Sequence, residues 1–171
     1  MFIFIPPSEG KAVPTDAEPV SPGSLVLPKL AGTRRKLLDS LVRLSAGPAD
    51  RALGVLGLTE GQRGELEHNR RLKTAPAAPA ARVYSGVLYD ALDLPGLSRE
   101  NGAAYARAQE SVLVFSALWG VLRPEDRIPY YRCSAGVKLP GVGSVTPAGA
   151  VTVAVLESVP VAAAEIVQLA V

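Results

Sequence analysis

The side chains best suited to chemistry gather in one stretch of this 171-residue chain, residues 115–141, FSALWGVLRPEDRIPYYRCSAGVKLPG. The stretch holds the only tryptophan, the only cysteine, two adjacent tyrosines and three arginines, whereas Ala, Leu, Val, Gly and Pro make up most of the chain. Arginine can bind phosphate through two parallel hydrogen bonds, and tyrosine can stack on a base or a sugar. The stretch therefore predicts a site for a phosphate-bearing ligand, built from Arg123, Arg127, Arg132, Tyr130 and Tyr131.

The same stretch also fits a structural role. Pro124 and Pro129 restrict the backbone, so the side chains around them need little ordering before they bind a ligand. Asp126 is expected to orient one of the arginines rather than to act as an acid. In the alternative interpretation, an Arg–Asp network braces a loop and Trp119 fills the core. Residue chemistry alone leaves both interpretations open.

A second candidate is the loop PPSEGK, residues 6–11, which follows a short apolar segment. Backbone N–H groups of a tight loop, together with Ser8 and the ammonium group of Lys11, can bind an anion. The loop lacks the spacing of a phosphate-binding Walker A motif. A plain turn with a solvated lysine explains the spacing equally well.

A third candidate is the glycine-punctuated segment GVLGLTEGQRGELEHN, residues 54–69, which is similar to a helix–hairpin–helix element. Such hairpins bring backbone N–H groups close to a DNA phosphate. An ordinary connection between two core helices is the favoured alternative. The residues assigned to the hairpin site are Gly57, Gly61, Arg63, Arg70 and Arg71.

Metal and cofactor sites are not predicted. His68 is the only histidine, and it has no second histidine and no nearby cysteine to complete a zinc or iron site. We therefore expect neither a metal nor a cofactor.

The composition predicts one domain in a cytoplasmic protein. The start, MFIFIPPSEGK, has no basic region and only five apolar residues in a row, so it is not typical of a secretory signal. Two glutamates and Pro160 argue against a membrane span in the apolar C-terminal residues. Thirteen of the 18 basic residues are arginine, but a net charge of +2 is too small to establish a polyanionic partner.

Both helices and strands are predicted around the candidate site residues. Residues 1–5 read as a buried strand, and residues 111–120 as a central strand because they form an apolar run without a polar face. From Thr33 to Ala46 leucines recur with a period of 3.6 residues, which predicts a helix. Two more helices are predicted at 49–56 and 60–73. The pattern therefore predicts both helices and strands.

Four segments, PPSEGK, VYSGVLYDALDL, LVFSALWGVLRPEDRIPYYR and CSAGVKLPG, together resemble the peroxide stress protein YaaA family, in the form common in high-GC actinobacteria. The resemblance covers about residues 1–143, and LWGVLRPEDRIPYYR is its most specific part. It implies a bacterial cytoplasmic protein of the α/β class, with a mixed sheet and flanking helices in a fold described as cantaloupe-like. It also implies a role in the response to hydrogen peroxide, less free iron and less oxidative DNA damage, and DNA binding through a helix–hairpin–helix element and a positive cleft.

The resemblance further implies that three distant segments share one cleft open to solvent. The residues it places there are Ser8, Lys11, Tyr84, Gly86, Gly120, Arg123, Asp126, Tyr130, Tyr131 and Arg132. DNA is the partner it implies. An enzyme or binder of a small phosphorylated ligand that uses the same cleft is the alternative.

The C-terminal segment departs from the family pattern. We expect a YaaA-like domain over residues 1–146 and an atypical Ala/Val-rich segment over residues 147–171, with the family fold incomplete at its C-terminal end. A truncated or frame-altered inactive member is therefore a third possibility.

Overall fold

A computed structural model of the chain describes residues 1–15 and 18–142. The predicted boundary at residue 146 and the segment 147–171 lie outside the described residues. The strands are β1 (Ile3–Ile5), β2 (Ala77–Pro79), β3 (Val112–Ser116), β4 (Gly120–Leu122) and β5 (Arg127–Pro129). The helices are α1 (Ala31–Ala46), α2 (Ala49–Leu56), α3 (Glu65–Arg70), α4 (Ala80–Val83), α5 (Val87–Leu92), α6 (Leu94–Glu100) and α7 (Gly102–Ser111). The predicted mixture of helix and sheet is confirmed.

The described part of the chain contains two small sheets. In the first, β3 is central, with β1 parallel on one side and β4 antiparallel on the other. In the second, β2 pairs antiparallel with β5. The apolar run 111–120 forms a central strand as predicted, but the strand ends at Ser116 and the chain turns back as β4 at Gly120.

The prediction that residues 1–5 form a buried strand is wrong for the outer residues. Ile3 and Phe4 are 39% and 36% exposed, although Ile5 is buried. The reason is that, within residues 1–15 and 18–142, β1 lies at the edge of its sheet and has a neighbouring strand on one side only.

The helices follow the sequence pattern in the first half of the chain. Helix α1 buries Leu38, Leu41 and Leu44, the stripe that the sequence spacing predicts, and it packs against α3. Helix α2 has the predicted bounds. The helix predicted at 60–73 is shorter, because a 3₁₀ turn at Glu60–Gln62 precedes α3. Glycines at 61 and 64 disfavour a continuous helix there.

A buried arginine ties α1 to the first sheet. Arg34 is 1% exposed, and its guanidinium donates hydrogen bonds to the carbonyls of Trp119 (2.8 Å) and Val121 (3.1 Å). It also donates to three carbonyls in the loop that precedes α1, those of Pro22, Val26 and Leu27. These bonds satisfy the guanidinium in an apolar setting, as a buried charge requires.

Across residues 1–15 and 18–142, no helix is long and apolar enough to cross a membrane. In the same residues, no group of three or more His, Cys, Asp or Glu side chains is placed to hold a metal ion.

Candidate ligand-binding site

Backbone hydrogen bonds join the first predicted loop to the second. The N–H of Ala12 donates to the carbonyl of Val83 at 2.7 Å, and the N–H of Ser85 donates to the carbonyl of Gly10 at 3.1 Å. Gly10 eases this approach, because a Cβ at that position would lie 3.0 Å from the Ser85 hydroxyl oxygen and 3.3 Å from the Ser85 carbonyl oxygen, which are tight contacts. Residues 6–11 and 83–86 therefore form one unit.

The Ser8 side chain strengthens this junction. Its hydroxyl donates a hydrogen bond to the carbonyl of Ser85. Gly86, which precedes α5, has φ of 106°, a conformation that favours glycine, and a Cβ there would lie 3.5 Å from the Ser8 oxygen. Ser8 and Gly86 thus position the loop that carries Lys11.

Lys11 meets the third segment through Tyr131. The Lys11 ammonium lies 4.6 Å from the centre of the Tyr131 ring and 5.6 Å from that of Tyr84, and it donates a hydrogen bond of 2.6 Å to the carbonyl of Ser8. Ring faces attract cations, but they solvate a charge less well than water does. We call the group formed by Ser8, Lys11, Tyr84, Tyr131 and Arg132 the Lys11 cluster.

The pKa of Lys11 reflects this environment. Burial lowers it from its ordinary value to about 8, and the charge of Arg132 acts in the same direction. Glu9 is the largest opposing influence, because its negative charge favours the protonated amine. The Lys11 amine therefore titrates close to physiological pH.

The two tyrosines whose rings face the amine are linked through their hydroxyl groups. The hydroxyls of Tyr84 and Tyr131 are hydrogen-bonded at 2.8 Å, and the Tyr131 hydroxyl is also 2.8 Å from that of Ser116. Burial raises the pKa of Tyr84 to about 12 and raises that of Tyr131 well above its ordinary value. Both phenols are therefore protonated at neutral pH.

Arg132 is the second cation of the Lys11 cluster. Its guanidinium contacts both the carbonyl and the carboxylate of Glu9 at 3.0 Å. Its backbone N–H and carbonyl are both bonded by the buried side chain of Asn69, at 2.9 and 2.8 Å. The Arg132 Nε is buried and has no hydrogen-bond partner among the described residues. One edge of this guanidinium thus has a free donor.

Three more of the residues expected in the shared cleft lie outside the Lys11 cluster. The carboxylate of Asp126 accepts hydrogen bonds from the backbone N–H groups of Val26 (3.1 Å) and Arg123 (2.8 Å). The expectation that Asp126 orients an arginine side chain is therefore wrong, because its oxygens hold backbone groups. The Arg123 side chain is exposed, and Gly120 is buried opposite Ser116 in the sheet, beneath the cluster.

The structural interpretation of the same stretch is partly right. Trp119 is fully buried, and Asp126 does brace a loop. The buried arginine of this region is Arg34, however, and it comes from α1 rather than from the stretch itself. Burial raises the pKa of Asp126, while its two backbone donors and the charge of Arg34 oppose that rise.

The two adjacent tyrosines separate. Tyr131 enters the Lys11 cluster, whereas the Tyr130 hydroxyl donates to Glu65 at 2.7 Å and its ring lies 4.6 Å from that of His68. Tyr130 thereby lines a different cleft of about 390 Å³ beside α3, together with Val13, Pro14, Glu67, His68, Arg71, Thr74, Ala75 and Pro76. Neighbouring residues of an extended chain point to opposite sides, so only one of the pair can reach Lys11.

The connection between α2 and α3, residues 57–64, contains a 3₁₀ turn at Glu60–Gln62, and we call it the hairpin; its identity as a helix–hairpin–helix element stays a prediction. The arginines in and after it are paired. Gly57 ends α2 in a left-handed conformation, with φ of 65°. Arg63 contacts Asp50 at 2.9 Å and Glu60 at 2.5 Å. Arg70 and Arg71 both contact Glu67, at 3.4 and 2.7 Å. Gly61 lies in the 3₁₀ turn of the hairpin.

The structure thus brings together five predicted residues in the Lys11 cluster, places Gly86 and Gly120 next to them, and separates Arg123, Asp126 and Tyr130. A role of any of them in ligand binding stays a prediction.

Sequence reasoning missed Asn69 and Ser116. Asn69 did leave a signal, because it follows Leu66 by three positions and so lies on the buried face of α3.

Comparison with known proteins places the chain in a family. A model of the family described as peroxide stress protein YaaA matches residues 1–147. A UPF0246 protein of Streptomyces coelicolor is 54% identical over 145 residues, which are 85% of this chain and 55% of that protein. A UPF0246 protein of Corynebacterium glutamicum is 43% identical over 140 residues, 82% of this chain and 53% of that protein. This chain spans about half the length of the curated relatives it matches. It belongs to the peroxide stress protein YaaA family.

Proposed function

We propose that the protein acts in the cytoplasm during the response to hydrogen peroxide, where it limits iron-dependent oxidative damage by binding the phosphate groups of DNA. The observation that carries this proposal is the meeting of Lys11 and Arg132 in one partly exposed cluster. These two residues are 121 positions apart, and both are cations. Two cations held together by the fold favour an anionic ligand.

Arg132 is the better phosphate donor of the two. Its buried Nε has no partner among the described residues, and its Nη1 contacts Glu9, whose side chain is 62% exposed. An exposed carboxylate is held weakly, so a phosphate oxygen can replace it. The guanidinium would then offer the parallel N–H groups of Nη1 and Nη2 at its outer end, while Lys11 adds a point charge.

The hairpin gives DNA a second contact surface. A Cβ added at Gly57 or Gly64 would meet nothing within 4 Å, so the backbone there is open to a phosphate strand. Arg63, Arg70 and Arg71 are 45%, 41% and 72% exposed. Their surface ion pairs are weak, so these side chains can exchange carboxylates for phosphates.

Fluorescence anisotropy with a labelled DNA duplex, read from 20 to 200 mM salt, tests the proposal. Affinity is expected to fall steeply with salt, because bound phosphates release counterions. The double variant Lys11→Gln/Arg132→Gln should lower the slope of log K against log salt by about 2. Arg70→Gln/Arg71→Gln should lower it by a similar amount.

Arg99→Gln, which removes an exposed charge from α6, is the matched control and should bind like the unaltered chain. If the folded chain shows no binding at low salt, or binding that salt does not weaken, the DNA proposal is wrong. If the cluster variant behaves like the control, the cluster takes no part in binding DNA.

The unpartnered Arg132 Nε also favours a second candidate, a small phosphorylated ligand held by the same cluster. Such a ligand would raise the thermal unfolding midpoint of the chain and not that of Lys11→Gln/Arg132→Gln. A panel of nucleotides and sugar phosphates that shifts neither protein would contradict this candidate while leaving DNA binding untouched.

A further inference from the structure

The environment of the Lys11 amine differs from that of the other lysines. Lys29, Lys36, Lys73 and Lys138 are exposed, and Lys73 pairs with Asp39 at 2.6 Å. The Lys11 amine instead lies over two tyrosine rings and donates to a backbone carbonyl. Among the described residues, no carboxylate lies within ion-pair distance of it.

The groups around this amine lower its pKa, so that a large fraction of it is neutral near pH 8. Burial, assisted by the charge of Arg132, lowers the pKa of Lys11 to about 8, against the opposing influence of Glu9, Cys133 and Glu65. A lysine in water, with a pKa of about 10.4, is almost entirely protonated at pH 8. A neutral amine is a nucleophile, and desolvation is one of the ways in which proteins produce one.

The fold also holds the amine in place against two protonated tyrosines. The Lys11 backbone is fixed by a bridge to Tyr84, and the rings of Tyr84 and Tyr131 restrict its side chain. The two phenols form a hydrogen-bonded chain with Ser116 and are protonated at neutral pH. Fixed geometry favours covalent chemistry at an amine.

We propose that Lys11 is an imine-forming residue whose amine condenses with the carbonyl group of an aldehyde ligand. The nitrogen lone pair attacks the carbonyl carbon, a C–N bond forms, and the carbonyl electron pair moves to oxygen, which takes up the proton that nitrogen releases. The resulting carbinolamine then loses water as the C=N bond forms. The net reaction converts amine and aldehyde to imine and water, without oxidation or reduction.

This inference concerns the same cluster as the proposed function and rests on it in one respect, that the cluster admits a ligand. Two aldehyde probes, one with a phosphate group and one without, allow the imine proposal and the phosphate-binding proposal to be tested independently. Pyridoxal 5′-phosphate and 5′-deoxypyridoxal form such a pair, because they share the ring and the aldehyde and differ by the phosphate.

The experiment incubates the full chain with either probe at pH 8, reduces the imines with borohydride and locates the adducts by peptide mass spectrometry. The four exposed lysines are internal controls. A pKa near 8 gives Lys11 a neutral fraction on the order of 100 times that of an ordinary lysine. We expect Lys11 to be modified at least about tenfold faster than any other lysine, even though it is less exposed than they are.

The pH dependence of labelling shows whether Lys11 reacts fast because its amine is neutral or because the probe reaches it easily. The rate at Lys11 should level off above about pH 8.5, whereas the rates at the exposed lysines keep rising towards pH 10. The variant Lys11→Arg, which keeps the cation, should lose the fast adduct and leave the slow ones unchanged.

The outcomes separate the two proposals. Fast labelling of Lys11 by both probes at equal rates supports the imine and argues against a phosphate site. Faster labelling by the phosphorylated probe supports both. If Lys11 reacts no faster than the exposed lysines with either probe, the imine proposal is wrong, whatever the result with DNA.

Discussion

The Lys11 cluster and the hairpin between α2 and α3 both present cations, but they hold them in opposite ways. In the cluster, Lys11 lies over aromatic rings and Arg132 keeps one donor without a partner among the described residues. In the hairpin, Arg63, Arg70 and Arg71 are exposed and paired with nearby carboxylates. Burial alters the chemistry of a cation, whereas surface pairing only neutralises it. The number of arginines in a segment therefore says little about its reactivity.

Asn69 joins the two regions, and its loss should have the largest effect. It lies on α3, at the end of the hairpin, yet its side chain bonds both the N–H and the carbonyl of Arg132. Asn69→Ala leaves both groups without a partner and should lower the free energy of unfolding by about 2–4 kcal/mol. Urea unfolding measures the change.

Glu67→Ala on the same helix is the control for Asn69→Ala, because its side chain makes only exposed ion pairs. It should leave the urea midpoint nearly unchanged. If both changes shift the urea midpoint by the same amount, the hydrogen bonds from Asn69 to the Arg132 backbone do not stabilise the cluster as proposed.

The adjacent tyrosines provide a matched pair across the two regions. Tyr131→Phe removes a hydroxyl that contacts Tyr84 and Ser116 in the core, and should lower the free energy of unfolding by about 1–2 kcal/mol. Tyr130→Phe removes a hydroxyl that contacts Glu65 in a half-buried setting. It should lower the free energy of unfolding by less than half as much as Tyr131→Phe does. The reverse order in urea unfolding would contradict the assignment of Tyr131 to the cluster.

The titration of Lys11 should give stability a positive pH dependence. The unfolded chain keeps the Lys11 proton up to about pH 10.4, while the folded chain releases it near pH 8, so the unfolded state binds more protons between these values. Stability therefore rises with pH in this window, by at most about 1.4 kcal/mol per pH unit for one proton.

Cys133 acts against this trend above about pH 8.5, because burial raises the pKa of its thiol to about 12. Unfolding from pH 7 to 9.5 is therefore best measured in a Cys133→Ala background. Lys11→Met should remove the rise with pH, and Lys36→Met, at an exposed lysine, should keep it. A rise that survives Lys11→Met would assign the titration to another group.

The smallest effect is expected in the hairpin. Arg63→Ala breaks two ion pairs between exposed side chains, to Asp50 and Glu60. Such pairs contribute little, so the urea midpoint should not change measurably at 150 mM salt. A clear loss of stability would show that the hairpin depends on its ion pairs and would reduce the contrast with the cluster.

The sequence predicted the elements that a local pattern determines. The bounds of α2 and the apolar face of α1 follow from spacing alone, and β3 follows from an apolar run. The edge position of β1 could not be predicted, because it depends on which strands pair, and pairing joins Ile3 to a residue more than a hundred positions away.

The positions of the candidate site residues, as distinct from any role in binding, were predicted in part for the same reason. The loops of Lys11, Tyr84 and Tyr131 were expected to meet, and they lie together. Pattern alone could not tell which tyrosine of the pair turns inward, nor that Asp126 would hold backbone N–H groups. Such details depend on hydrogen bonds between distant residues, as between Asn69 and Arg132, and no local spacing encodes them.

Arg34 has a consequence for how the molecule opens. Its guanidinium stays charged, and it holds carbonyls of the loop before α1 as well as those of Trp119 and Val121, 85 and 87 positions further on. Neither partner can detach alone without stranding a positive charge in apolar surroundings. These segments should therefore come apart in a single cooperative event, and their slowly exchanging amide protons should share one opening free energy.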